Sequence, residues 1–270
     1  MIGQKNLLSS LNSLGDNFPR FSILVGPRGS GKKLMCKEIG NIISATTYFS
    51  DIKVDDVREV ITNAYKCVGK PTLYVFADAD IMSPAAKNAL LKVTEEPPTN
   101  AYFILTLTDL NNTLATIRSR GTVFYMDLYS TDEIIQYLNT VYPQEVAGED
   151  IVREICSTPG EVDTIVKSNV VDFYQYVEKV VDNIDKVSGS NSFKIASAVK
   201  LKDTDEDKYD LNLFWKAFMS VLTVRLTDDI QKYAEGIKIT SKYLQELRIV
   251  GINKQSAFDM WILDIRKAWM

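Results

Sequence analysis

The stretch FSILVGPRGSGKK, residues 21–33, decides the fold. Its opening residues form a short apolar run that suits a buried strand, and KKLMCKEIGNIIS (32–44) beyond them is compatible with a helix. Between the two lie Gly26, Gly29, Gly31 and Lys32, in the spacing of a phosphate-binding loop. Glycines let backbone N–H groups turn toward phosphate oxygens, the helix N-terminus favours negative charge, and Lys32 reaches the terminal phosphates. The next position breaks the pattern. A Ser or Thr there ligates Mg²⁺ through its hydroxyl; Lys33 offers an ammonium, so a metal ion loses one protein oxygen.

Outward from the loop, strand-like and helix-like segments alternate. PTLYVFA (71–77), AYFILTLT (101–108) and TVFYM (122–126) read as further strands. In DDVREVITNAYKCVG (55–69) the apolar Val57, Val60, Ile61, Ala64, Tyr65 and Val68 recur at helical spacing, with acidic residues at the start and Gly69 at the stop. SPAAKNALLKVTEE (83–96) reads as a helix with Pro84 in its first turn and Pro97-Pro98 as its end. Such alternation implies an α/β layer architecture with a mainly parallel sheet.

After about residue 130 the strand signals stop. Residues 131–169 suggest two or three short helices, with STPGE (157–161) as the turn before the last. From residue 170 the pattern is helical, with breaks at SGSNS (188–192) and KDTDEDKYD (202–210), the second read as a solvated loop. INKQSAFDMWILDIRKAW (252–269) puts Ala257, Trp261, Ile262, Ile265 and Trp269 on one helical face, as the core of a helical bundle requires.

Bulk properties exclude several chemistries. The chain of 270 residues has no histidine, which removes Ser-His catalysis, His-metal ligation and imidazole acid–base chemistry together. A net charge of −4 argues against a protein that coats nucleic acid by itself. Cys36, Cys67 and Cys156 are scattered and odd in number, as expected of reduced, buried thiols in a cytoplasmic protein. No apolar run approaches the ~18–20 residues that span a bilayer, and no cleavable signal pattern opens the chain, so no membrane partner is expected.

A nucleotide-hydrolysing site needs a second element, an apolar strand ending in an Asp that helps hold Mg²⁺, often followed by a catalytic Glu. LYVFADADIMS (73–83) is the candidate. Its strand ends at Ala77, with Asp78 and Asp80 beyond. Either carboxylate can be argued toward a metal, and either serves equally well as a charge at a helix N-terminus.

Several further blocks carry a resemblance. DADIMSPAAKNALLKVTEEPPTNAYFILTLTDLNNTLATIRSRG (78–121) closely resembles the central signature of bacterial clamp-loader subunits of the AAA+ superfamily. DIKVDDVREVI (51–61) and INKQSAFDMWILDIR (252–266) resemble two more blocks of that family, and with the phosphate loop the likeness runs along nearly the whole chain. It implies a nucleotide-binding-type AAA+ domain (1–127), a small helical lid (128–169) and an all-α collar (170–270) that joins subunits into a ring.

The departures from the family pattern point to one subunit type. Where motor subunits end the strand in Asp-Glu, this chain has Ala77 and Asp78; where they carry a nucleotide-sensing arginine in the lid, STPGEVDTI (157–165) has Glu161 and resembles the delta prime form. With Lys33, three positions facing phosphate or metal are lost. Thr108, at the end of its strand, falls at a sensor-like position. IRSRG (117–121) keeps the arginine of the family's Ser-Arg-Cys motif as Arg120, with Gly121 in place of Cys, a change expected to loosen the loop. The family's four-cysteine zinc module is absent, since residues 34–54 contain only Cys36, so no zinc is expected; a phage-encoded or reduced-genome relative fits that departure.

The resemblance therefore implies a delta-prime-like stator of a DNA polymerase III clamp loader, with a degenerate nucleotide site that requires no cofactor and either holds ATP or ADP without cleaving it or holds nothing. Its implied partners are motor and delta-type subunits, the sliding clamp and primed DNA, with Arg120 reaching a neighbour's ATP site. Two alternatives stay open at this level: an ATP-hydrolysing motor using Lys32 and Asp78, and an AAA+-shaped adaptor with no part in replication.

Overall fold

The structure, a computed structural model, describes residues 2–66, 69–186, 195, 197–201, 208–247, 249 and 251–269. Cys67, Val68, the SGSNS break and most of KDTDEDKYD lie outside the described residues. The chain divides into two compact units, Met1–Tyr129 and Ser130–Met270.

The first unit is built on a five-stranded, wholly parallel sheet. Its strands are β1 (Phe21–Val25), β2 (Thr46–Ser50), β3 (Thr72–Phe76), β4 (Ala101–Leu107) and β5 (Thr122–Tyr125), in the order β2-β3-β4-β1-β5. The apolar runs at 21–25 and 101–107 become the central strands because both their faces are covered, and every residue of both is buried. Side-chain alternation divides them between two cores. Phe21, Ile23 and Val25 pack with Val57, Val60, Phe76, Phe103 and Leu105 on one side. Leu24 packs with Met35, Ile39, Val75 and Ile104 on the other.

The helices are α1 (Lys5–Leu14), α2 (Lys32–Ile42), α3 (Val54–Lys66), α4 (Pro84–Ala89), α5 (Leu91–Glu95) and α6 (Ala115–Arg118). Ser83 caps α4 by accepting from the Ala86 N–H, with Pro84 at the first helical position. The single helix expected over 83–96 is divided in two, since α4 ends at Ala89 and α5 begins at Leu91. At the sheet's far edge, β2 carries half-exposed residues in a five-residue segment that shows no continuous apolar run. That is why the sequence reading did not find it. Gln4 exchanges hydrogen bonds with Asp127, from Nε2 to the Asp127 carbonyl at 2.7 Å and from the Asp127 N–H to Oε1 at 2.8 Å, and so ties the start of α1 to the end of β5.

The second unit is mostly helical: α7 (Thr131–Val141), α8 (Glu149–Ile155), α9 (Pro159–Lys167), α10 (Val170–Asn183), α11 (Leu211–Val224), α12 (Ile230–Glu246) and α13 (Lys254–Trp269). Side-chain caps start most of them, among them a Ser130–Glu133 capping box on α7, Thr158 on α9 and Asp210 on α11. Aromatic side chains fill the core between α11, α12 and α13. Phe214, Trp215, Phe218, Tyr243, Phe258 and Trp261 are all fully or almost fully buried, with Trp261 edge-on to Phe214 and Phe218. The buried indole N–H of Trp261 donates to Thr240 Oγ1 at 3.0 Å, so this polar atom is satisfied. Ala257, Trp261, Ile262 and Ile265 of α13 face inward as their spacing requires, and Trp269 is half-buried. Among the described residues past 130 one strand pair occurs: Val199–Lys200 beside Tyr209–Asp210, two residues each and too short to show in a periodicity reading. No helix among the described residues is long and apolar enough to cross a membrane.

Candidate functional site

Parallel β1, β3 and β4 bring their carboxyl ends to one edge of the first unit, the usual place for a ligand site in an open α/β sheet. The Gly26 N–H donates to the Leu107 carbonyl at 3.0 Å, and the Asp78 N–H donates to Thr106 Oγ1 at 3.0 Å. The loop after β1, the turn after β3 and the end of β4 are thereby fixed to one another.

The loop keeps the backbone form of a phosphate cradle. Gly29 and Gly31 adopt φ of 74° and 86°, a left-handed conformation that suits glycine, and Gly31 caps α2. A Cβ on Gly26 would lie 2.6 Å from Met126 Cγ, so only glycine fits above that side chain. The first N–H groups of α2 have no intrahelical partner and point out of the helix start. Tyr129 steadies the loop by donating its hydroxyl to the Ser30 carbonyl at 2.8 Å. Met126 and Tyr129 were not found by sequence reasoning; both follow β5, far from the loop in the chain.

Lys32 is buried and turned inward. Its ammonium donates to the Gly26 and Pro27 carbonyls at 2.7 and 2.9 Å. Burial lowers its pKa, opposed in part by the nearby Asp78 and Asp80 carboxylates. Lys33 is exposed and lies 4.0 Å from Asp78 Oδ2, at the rim of the same edge. A metal-binding site would need oxygens at both places; here an ammonium stands at one, and Ala77, at the strand end, supplies none. The residues present do not fit a Mg²⁺ ion.

Asp78 and Asp80 have parted company. Asp78, at φ 53°, is exposed, while Asp80 is buried and surrounded by donors. Its carboxylate accepts from the Thr108 N–H at 2.9 Å, the Thr108 hydroxyl at 2.7 Å, Asn112 Nδ2 at 2.9 Å and the Asp109 N–H at 3.4 Å. Burial alone would raise its pKa. The hydrogen bonds from Asn112, Thr108 and Asp109 outweigh that and hold the carboxyl below its ordinary value. Asp80 thus locks the end of β4 to the turn after β3, and the Thr108 hydroxyl is engaged with it.

Arg120 sits just past α6, apart from the loop's own residues in hydrogen bonding. Its Nη2 lies 2.6 Å from Glu95 Oε1, and Nη1 donates to the Thr116 carbonyl at 2.7 Å. The Arg120 side chain is about one-third exposed, at 35%. Gly121 lies close against β1. A Cβ there would meet Ile23 Cγ1 and Phe21 Cε1 at 2.9 Å, so bulky β1 side chains already fill the space a cysteine would use.

In the second unit, Glu161 is fully employed. It accepts from the Ser157 N–H at 2.7 Å and from Asn212 Nδ2 at 3.0 Å, and pairs with Lys216 Nζ at 2.5 Å, joining α9 to α11. Cys156 beside it is a buried free thiol whose pKa burial pushes up to about 12; Cys36 in the first unit is likewise buried, free and pushed up to about 12. Neither is a reactive thiolate.

A phosphate-type loop on a parallel sheet of order β2-β3-β4-β1-β5, followed by a helical unit, is an AAA+-type P-loop fold. Two solved structures share that fold. One is a DNA polymerase III gamma subunit-related protein of Thermotoga maritima (TM-score 0.51, 14% identity, 97% of this chain and 99% of that one). The other is a RuvB mutant from the same organism (TM-score 0.51, 15% identity, 86% and 79%). Residues 23–129 match the family described as DNA polymerase III, delta subunit, and parts of the chain are similar to bacterial gamma, tau and delta prime subunits of that polymerase. Among curated relatives, the Buchnera aphidicola (Schizaphis graminum) subunit gamma is 29% identical over 52% of this chain and 48% of its own length. The Yersinia pestis and Escherichia coli delta prime subunits are 37% and 40% identical, over 33% and 27% of this chain and 27% and 22% of theirs. The chain spans about half or less of the length of these three relatives.

Proposed function

We propose that the chain is a delta-prime-like subunit of a DNA-replication clamp loader, a stator that does not hydrolyse ATP. It docks beside an ATP-bound motor subunit and donates Arg120 to that neighbour's site while the assembly loads a sliding clamp on primed DNA. Motor and delta-type subunits are its direct partners, and it meets the clamp and the DNA as part of the assembled ring.

One observation carries the reading: the metal side of this chain's own loop is disarmed by Lys33 and Ala77, while Arg120 stands ready at a separate corner. A guanidinium aimed at the transferred phosphoryl stabilises charge as it develops, and such fingers contribute ~10³–10⁵ in rate. The exchange of Glu95 for a phosphate is cheap, because partly exposed ion pairs are worth only ~0–1 kcal/mol. Glu161 adds support. At the place where motor subunits carry a nucleotide-sensing arginine, it is a carboxylate already paired with Lys216.

The test is reconstitution with motor and delta-type subunits. Arg120→Ala is expected to leave ring assembly unchanged and to lower DNA-stimulated ATP turnover by at least ~10-fold. Unchanged turnover would sink the finger assignment.

A further inference from the structure

The loop and the metal position beside it give opposite signals about ligands. The backbone cradle is intact: Gly29 and Gly31 are left-handed, Gly26 is too tight for any side chain, and the first N–H groups of α2 are open. The Ser30 hydroxyl is completely buried within the loop and has no hydrogen-bond partner; among the described residues of the first unit it is the one buried side-chain polar atom left so. Side chains at the rim have the reverse character. The Lys33 ammonium takes the position of the hydroxyl that would ligate the metal, and it faces Asp78 across 4.0 Å. Lys32 and Arg28 bring the cations carried by the loop to three.

We infer that this loop binds a nucleoside di- or triphosphate in its metal-free form, with the Lys33 ammonium standing where Mg²⁺ stands in a hydrolysing site. A Mg²⁺ ion bridges a phosphate oxygen to a hydroxyl and to a carboxylate through its own coordination. Lys33 links phosphate and carboxylate in the same sense, by charge and hydrogen bonding, and it is covalently attached. A monovalent ammonium does not polarise an attacking water or gather phosphate oxygens in an inner shell, so binding is separated from cleavage. Lys32 exchanges its two carbonyl contacts for phosphate oxygens, which returns its ammonium to an anionic setting. A divalent ion brought in with the nucleotide meets the Lys33 charge and finds no oxygen at Ala77. Magnesium therefore weakens binding or leaves it unchanged.

The inference is independent of Arg120 and survives or fails apart from the stator reading. The experiment is calorimetric titration of the full chain with ADP, once in EDTA and once in excess magnesium. Binding in EDTA at least as tight as in magnesium is expected. Lys33→Ser is expected to weaken binding in EDTA by about tenfold and to restore tightening by magnesium, a swing of ~1.4 kcal/mol or more. Lys32→Ala, which leaves the glycine backbone in place, is expected to reduce binding in both buffers. No heat of binding in either buffer, or binding of the unaltered chain that requires magnesium, would overturn the inference. Neither result bears on Arg120, whereas ATP turnover by the chain alone would refute the stator reading instead.

Discussion

Two corners of the first unit treat their charged side chains in opposite ways. At the loop, Lys32 is folded onto backbone carbonyls, Lys33 faces Asp78, and Asp80 is buried under donors, so charge is used internally. At the end of α6, Arg120 makes two contacts on its own unit and keeps about a third of its side chain in solvent. The lesson is one of division. On the proposed function, the fold keeps its cradle as scaffold and offers Arg120 to a neighbour at a different edge.

The contrast can be broken first at Asp80, where the largest effect on stability is expected. Asp80→Ala removes the buried acceptor of part-buried hydrogen bonds from Thr108, Asp109 and Asn112 and should cost about 3 kcal/mol, read as a lowered denaturant midpoint of the first unit. The same carboxylate predicts a pH dependence. Its pKa is depressed in the folded state, so its stabilisation is present above the ordinary value of 3.8 and is lost as pH falls through the lower folded value. Asp80→Asn should therefore flatten the acid limb of the stability curve below about pH 4 and leave its neutral shape alone. An unchanged acid limb would show that the carboxylate is not held as described.

Gly121 sharpens the comparison from the Arg120 side. Gly121→Cys, which restores the family's residue, should destabilise the unit by roughly 2 kcal/mol, because Ile23 and Phe21 must move. Combining it with Ile23→Val should recover part of that loss, measured as a coupling in a double-mutant cycle. The smallest effect is expected at Glu95. Glu95→Gln removes a partly exposed ion pair and should change thermal stability by under ~1 kcal/mol, even though it frees Arg120. A large loss there would mean that the arginine is a structural anchor and not a poised group.

The central sheet was legible because its strands are continuous apolar runs bounded by Gly, Pro and polar residues. The glycine spacing was legible for the same local reason. β2 was not, since a half-exposed edge strand of five residues carries neither an apolar run nor a strict alternation. Asp78 and Asp80 are two residues apart and equivalent in sequence; only the turn through Ala79–Ile81 sends one to solvent and the other inward. The consequence of Gly121 depended on β1, almost a hundred residues earlier in the chain. The supports supplied by Glu95, Met126 and Tyr129 were equally out of reach, because each acts on a residue that the fold, and not the spacing, brings beside it.

On the proposed function, this chain serves catalysis with Arg120 and not with its own loop. The most direct measurement compares Arg120→Ala and Lys32→Ala in the reconstituted loader, reading DNA-stimulated ATP turnover with the same motor subunits. A fall of at least ~10-fold is expected for Arg120→Ala, and turnover close to the unaltered complex for Lys32→Ala. The reverse pattern, in which the loop lysine is essential and the arginine dispensable, would contradict the proposed function.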